Sequence, residues 1–207
     1  LSAAVKNTAV GIDAMDAITT GDQNTAIGFA AGSAITAAYY NTLVGASAGA
    51  LMSTSGTYEN TAVGRGSLSA ITTGGINNTA VGSKSGVAVT SGDYNTLMGY
   101  EAGNSITTGA YNTLLGNEAG ENLVDGSGNI IIGMADTAAT DSARTLKITS
   151  YDGSTTTNHM ISDGSGNVTF AGTVTLSGGQ TIPGKIGGTD FTNGLIVGHS
   201  TTGTLNG

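Results

Sequence analysis

A single five-residue pattern recurs along the first two thirds of the chain and restricts the fold more than any other feature. Seven copies read Asn-Thr-(Ala/Leu)-apolar-Gly, and an eighth reads Asn-Ile-Ile-Ile-Gly. The asparagines are Asn7, Asn24, Asn41, Asn60, Asn78, Asn95, Asn112 and Asn129, at spacings of 17, 17, 19, 18, 17, 17 and 17 residues. A glycine follows each at the same offset, at Gly11, Gly28, Gly45, Gly64, Gly82, Gly99, Gly116 and Gly133. A period this regular is the mark of a solenoid, in which each coil touches mainly its neighbours.

One coil, beginning at Asn95, shows the local structure to expect. Thr96-Leu97-Met98 reads as a strand, the chain turns near Gly99, and Ser105-Ile106-Thr107 reads as a second short strand. The chain holds 35 glycines and one proline. The glycines come too often for helices and lack the three-residue period of collagen. Seven residues after each motif glycine stands an apolar residue: Ile18, Ile35, Met52, Ile71, Val89, Ile106 and Leu123. This column is predicted to line the interior. Three residues after the glycine stands a small one, Ala14, Ala31, Ala48, Ser67, Ser85, Ala102 or Ala119, which points to a tight corner.

The motif strand carries two adjacent apolar residues in every coil, among them Ala26-Ile27, Ala62-Val63, Ala80-Val81 and Leu97-Met98. Neighbours on a strand point to opposite faces. A 17-residue coil is too thin to bury both, so one face lines the interior and the other is expected to meet another chain or an extra covering element. The aligned asparagines are expected to form a hydrogen-bonded ladder, as polar stacks do in cross-β assemblies. The longer spacings before Asn60 and Asn78 imply extra residues bulging outwards near 53–59 and 74–77.

Residues 1–133 therefore read as a β-solenoid array, and residues 134–207 as a β-rich shaft or connector module. In the latter the motif stops and alternating segments appear, such as Thr145 to Thr149 and Val168 to Leu176. Leu1 is not a start methionine and no signal-peptide pattern follows, so the sequence reads as an excerpt of a longer protein.

Composition narrows the function. The net charge is −8, and Lys6, Arg65, Lys84, Arg144, Lys147 and Lys185 are scattered, which gives no footprint for nucleic acid. No apolar run approaches the ~18 residues of a membrane span, so no membrane insertion is expected. Without cysteine there is no thiolate chemistry. His159 and His199 stand apart from carboxylates, and Gly198 to Gly203 lacks the nucleophile-elbow spacing. Asp13 with Asp16, and Glu118 with Glu121, have the look of paired acids but fall at coil corners. The sequence Asp-Gly-Ser-Gly-Asn occurs at 125–129 and 163–167; its alternating oxygens suit calcium, yet the complete loop pattern fails. Neither metal, cofactor nor catalytic residue is expected. Tyr39, Tyr40, Tyr58, Tyr94 and Tyr111 gather before the motif, as packing or as an aromatic strip for sugars. A further threonine series, Thr19-Thr20, Thr36, Thr72-Thr73, Thr90 and Thr107-Thr108, is the basis for an ice-binding reading.

The stretches NTAIGFAAGSAITAAYYNTLVGASAG and YNTLMGYEAGNSITTGAYNTLLGNEAG resemble repeats of phage and viral tail-fibre proteins, which often precede an endosialidase-type chaperone. They resemble more distantly the β-roll heads of trimeric autotransporter adhesins. The resemblance covers residues 7 to 133, and no chaperone domain or receptor-binding tip is recognisable here. It implies a homotrimeric fibre at a virion surface or otherwise extracellular, with host cell-surface glycans as a further partner. The expectation is thus an all-β parallel solenoid of about eight coils followed by a small β module or an intertwined β shaft. Assembled as a homotrimer, it would serve as a structural spacer with a role in adhesion and would not be an enzyme. A bacterial trimeric adhesin head and an ice-binding solenoid are the alternatives.

Overall fold

The computed structural model describes residues 4–53, 56–162 and 164–170. Every regular element in them is a β-strand. Each coil supplies one three-residue strand: β1 (Thr8–Val10), β2 (Thr25–Ile27), β3 (Thr42–Val44), β4 (Thr61–Val63), β5 (Thr79–Val81), β6 (Thr96–Met98), β7 (Thr113–Leu115) and β8 (Ile130–Ile132). They pair parallel and without slip, so that Thr79 faces Thr96, Ala80 faces Leu97 and Val81 faces Met98. The result is a β-solenoid of about eight turns, each adding about 4.8 Å along the stack.

The strands start where the asparagines stack. Asn95 shows the pattern: its Nδ2 donates to the carbonyl of Gly109 at 2.9 Å, and its backbone N–H and Nδ2 both donate to Oδ1 of Asn78. Its own Oδ1 accepts the same two bonds from Asn112. The side chain thus satisfies a buried backbone N–H on one side and a buried carbonyl on the other. The asparagines from Asn24 to Asn129 are fully or almost fully buried, with no buried side-chain polar atom unpartnered.

The strands end at the motif glycine. Gly82 has φ of 137°, and a Cβ there would lie 2.2 Å from the carbonyl oxygen of Gly99 in the next coil. Both the backbone sign and the close stacking therefore demand glycine. Two residues later the chain is left-handed again, this time on ordinary side chains: Lys84 has φ 58° and Glu101 φ 52°. The residue before each asparagine is also left-handed, as at Tyr94 (φ 56°) and Tyr111 (φ 59°). Hydrogen bonds to the preceding coil hold these conformations in place; Glu101 N–H donates to the Ser83 carbonyl and Tyr111 N–H to the Asp93 carbonyl.

Inside, the first apolar residue of each strand meets the column seven residues beyond the glycine. Leu43, Leu97, Leu114 and Ile131 pack with Ile35, Met52, Ile106 and Leu123, all inaccessible to solvent. The small column is buried from Ala31 to Ala119, and Ser67 and Ser85 donate their hydroxyls to the carbonyls of Ala80 and Leu97. Volume is exchanged between positions in some coils, although Ala26 and Ala80 stand with Gly32 and Gly86. Where the strand residue is Ala62, the buried Leu68 fills the space. Where it is Leu43 or Leu97, the matching position is Gly49 or Gly103, whose Cβ would run into those leucine methyls.

Two expectations need correction. Ser105-Ile106-Thr107 forms no strand. Left-handed Gly103 closes a tight turn, with Ile106 N–H donating to its carbonyl, and only isolated rungs such as Thr107 N–H to the Val124 carbonyl link the coils there. The insertions are also placed differently from expectation, the first narrower and the second earlier in the chain. Thr57 and Gly75 are buried and in register, since their carbonyls take the amide bonds from Asn41 and Asn60. The extra length is therefore confined to 53–56 and 72–74.

The ladder also runs past residue 133. Asn129 Oδ1 accepts the N–H of Thr145, and β9 (Leu146–Tyr151) pairs parallel with β8. The chain then reverses into β10 (Thr156–Ser162) and β11 (Val168–Phe170), both antiparallel, so that one sheet holds all eleven strands in sequence order. A bulge between Asn158 and Met160 leaves His159 without an opposite residue. The predicted segment from Ala171 onwards lies outside the described residues.

Gly82→Ala is expected to cost roughly 2–4 kcal/mol, from left-handed strain together with overpacking. Asn95→Ala, which strands the buried N–H of Asn112 and the Gly109 carbonyl, should cost a similar roughly 2–4 kcal/mol. Removing one residue from 72–74 should cost under about 1 kcal/mol. Urea unfolding followed by circular dichroism ranks the three.

Candidate functional site

The second apolar residue of each motif strand points away from the interior. Val10, Ile27, Met98, Leu115 and Ile132 are exposed, at 55%, 41%, 41%, 44% and 38%, while Val44, Val63 and Val81 are partly exposed. The partner in each pair, from Ala26 to Ile131, is buried. The sequence left open which member faces outwards, and the parallel register settles it for all coils at once. Two residues earlier the motif threonines, Thr8 to Thr113, share the outer face by strand alternation. Their hydroxyls make no hydrogen bond among the described residues.

Two further columns border this face. The residue before each asparagine stands along one edge, held by bonds such as Tyr94 N–H to the Ile76 carbonyl. The residue after each glycine stands along the other, where Ser83 and Tyr100 accept bonds from Glu101 and Glu118 of the following coils. Ile12, Phe29 and Tyr100 on this second edge are exposed. Sequence reasoning missed the second edge because its residue type varies from coil to coil; the signal was its fixed place after the glycine. Together the columns make a stripe of exposed and partly exposed aliphatic and threonine side chains that follows the stack.

Charges are sparse near the stripe. Lys84 and Glu101, stacked one coil apart, form an ion pair at 2.7 Å. The hydrogen bond from Lys84, and then Tyr100 beside it, hold the Glu101 carboxyl below the usual glutamate range; Glu101 in turn raises Lys84 and Tyr100. Farther along, three donors from Ser154 and Thr155 hold Asp152 below the usual carboxylate range. Tyr94 and Tyr111 stack face to face, with centroids 4.9 Å apart and planes 8° from parallel.

Other candidate residues are dispersed. Asp13 and Asp16 are exposed at a corner. Glu118 and Glu121 border a shallow cleft of about 300 Å³ with Asp136 and Lys147. His159 is exposed and shares a hydrogen bond with the Ser150 hydroxyl, at 2.9 Å. Asp125 Oδ1 accepts bonds from the Thr107 and Thr108 hydroxyls, which makes the first Asp-Gly-Ser-Gly-Asn turn a coil-to-coil contact. Asp163, His199 and Gly198 to Gly203 lie outside the described residues. No group of three or more metal-ligating side chains occurs among the described residues, and no helix there is long and apolar enough to cross a membrane. In the second threonine series, Thr19, Thr36 and Thr90 donate their hydroxyls to carbonyls of the next coil. Those hydroxyls are therefore engaged within the stack.

Comparison with protein-family models, with curated proteins and with solved structures returns no match.

The shifted pair gives a test with a defined sign. A depressed Glu101 stabilises the fold above the ordinary glutamate pKa, and this contribution is lost as pH falls through the folded value. A raised Lys84 contributes below the ordinary lysine pKa and is lost as pH rises through its folded value. Lys84→Met should return the Glu101 titration midpoint towards the ordinary value, as read by carboxyl-carbon NMR. An unmoved midpoint would contradict the pairing.

Proposed function

We propose that this chain is a structural segment of a homotrimeric fibre, in which coils stack into a rigid spacer and the outer stripe of the motif strands joins the three copies. The setting is a phage or viral tail or virion-surface fibre, with host-surface adhesion as an accompanying role and no catalytic turnover. The observation that carries the reading is the second apolar column. The coil interior is already filled by Ala26 to Ile131 and the column from Ile35 to Leu123, so Val10 to Ile132 contribute nothing to the core of a single copy. Burying such a column yields about 25 cal/mol per Å² of apolar area, and a repeated stripe multiplies that gain along the rod. The motif resemblance to tail-fibre repeats supplies the setting, and adhesin heads share the same logic. Contacts with host glycans would be shallow and repeated, in keeping with multivalent attachment.

A second reading rests on the unbonded motif threonines. Seven hydroxyls, one per coil from Thr8 to Thr113, stand in a straight row beside the aliphatic column. Such a face orders water in a monomeric ice-binding solenoid.

The two readings separate on one pair of variants. Val63→Asp, on the outer face, should dissociate the assembly in sedimentation velocity while leaving the β-type circular dichroism intact. Ala62→Asp, one residue earlier and fully buried, should instead unfold the chain by roughly 3 kcal/mol or more. A parent chain that sediments as a monomer and slows ice growth would favour the second reading.

A further inference from the structure

The stripe has two distinct edges, and in one coil they carry opposite charges at the same level. In the fourth coil the edge before the asparagine carries Glu59 and the edge after the glycine carries Arg65, both exposed. The strand Thr61–Val63 lies between them. Glu59 and Arg65 are exposed where the chain enters and leaves the strand, and Thr61 and Val63 share the outer face between them, while Asn60 and Ala62 are buried. Among the described residues neither side chain forms an ion pair or hydrogen bond. The other coils show no such charge match: Lys6 stands level with Ile12, Gln23 with Phe29, and Tyr94 with Tyr100. In coils one to seven, only the fourth is charged on both edges, and its signs are opposite.

Edges that differ, and that carry opposite charges at the same level in the fourth coil, fit one class of partner. Rotating a copy about an axis parallel to the stack keeps every coil level and brings the asparagine-side edge of one copy against the glycine-side edge of the next. A reversed copy would set like edges together and lose the level match. We infer that the stripe receives a second copy of this chain, parallel and in register, with Glu59 of one copy paired to Arg65 of its neighbour. This deepens the fibre reading and rests on it. The pair fixes register, because a slip of one coil would leave both charges facing uncharged residues (Ser83 or Ala46 opposite Glu59, Asn77 or Tyr40 opposite Arg65).

The chain has no cysteine, which allows a direct test. Glu59→Cys, Arg65→Cys and the double variant are treated with a short bis-maleimide and run on denaturing gels, with native mass taken in parallel. The expected result is a covalent closed oligomer from the double variant and no cross-linking from either single variant. Self-cross-linking of Glu59→Cys alone would overturn the inference, since like edges would then meet. So would an assembled double variant that fails to cross-link, and that outcome would leave the fibre reading standing. A monomer in native mass for the parent chain would overturn both. As an independent check, Glu59→Arg and Arg65→Glu should each raise the dissociation constant roughly tenfold or more, and the exchanged pair together should restore it. Failure of the exchange to restore assembly would count against the pairing.

Discussion

The buried asparagine ladder is the interaction on which the rest of the molecule depends. A coil with a three-residue strand has few hydrogen bonds of its own, and its backbone would be left unsatisfied where it leaves the sheet. Each asparagine closes that gap by linking three successive coils, accepting from the next asparagine and donating to the carbonyl three residues ahead of it. Because the bonds run along the stack, no coil is complete without its neighbours, which is the physical basis of a quasi-one-dimensional fold. The glycine corner is the other half of the constraint. Backbones at contact distance forbid a Cβ, so the pattern tolerates variation on the outer edges but none at the glycine.

The same economy explains the outer stripe. The coil takes one apolar side chain from the strand and one from the opposite segment into its interior. A second aliphatic residue on the strand has no place inside. Its repetition over eight coils gives a column that is aligned by the register of the sheet and not by any contact of its own. Propensity for strand accounts for a β-branched residue at such a site, but not for Met98 or Leu115, where a small or polar residue would be less exposed to aggregation.

Much of this was legible in the sequence because period is a direct record of stacking. The strands, the inner column from Ile18 to Leu123, the small corner and the asparagine ladder all follow from fixed offsets. What escaped has physical causes. Ser105-Ile106-Thr107 has strand-like residues, yet Gly103 in the left-handed region turns the chain before a strand can form. The left-handed Lys84 and Glu101 carry no sequence sign, since neither residue favours that region and only bonds to the adjacent coil hold it. The continuation into β9 was hidden because Thr145 replaces the asparagine and keeps only its N–H in the ladder. The face of the aliphatic column could not be read at all from alternation, which is blind to inside and outside when both positions are apolar.

The central claim is that the outer column is an interface between copies, and mass in solution tests it most directly. Native mass spectrometry of the unmodified chain, with sedimentation equilibrium at the same concentrations, is predicted to give three times the 20.2 kDa chain mass down to the lowest concentration sampled. A folded species of 20.2 kDa, stable with its stripe open to water, would contradict the account.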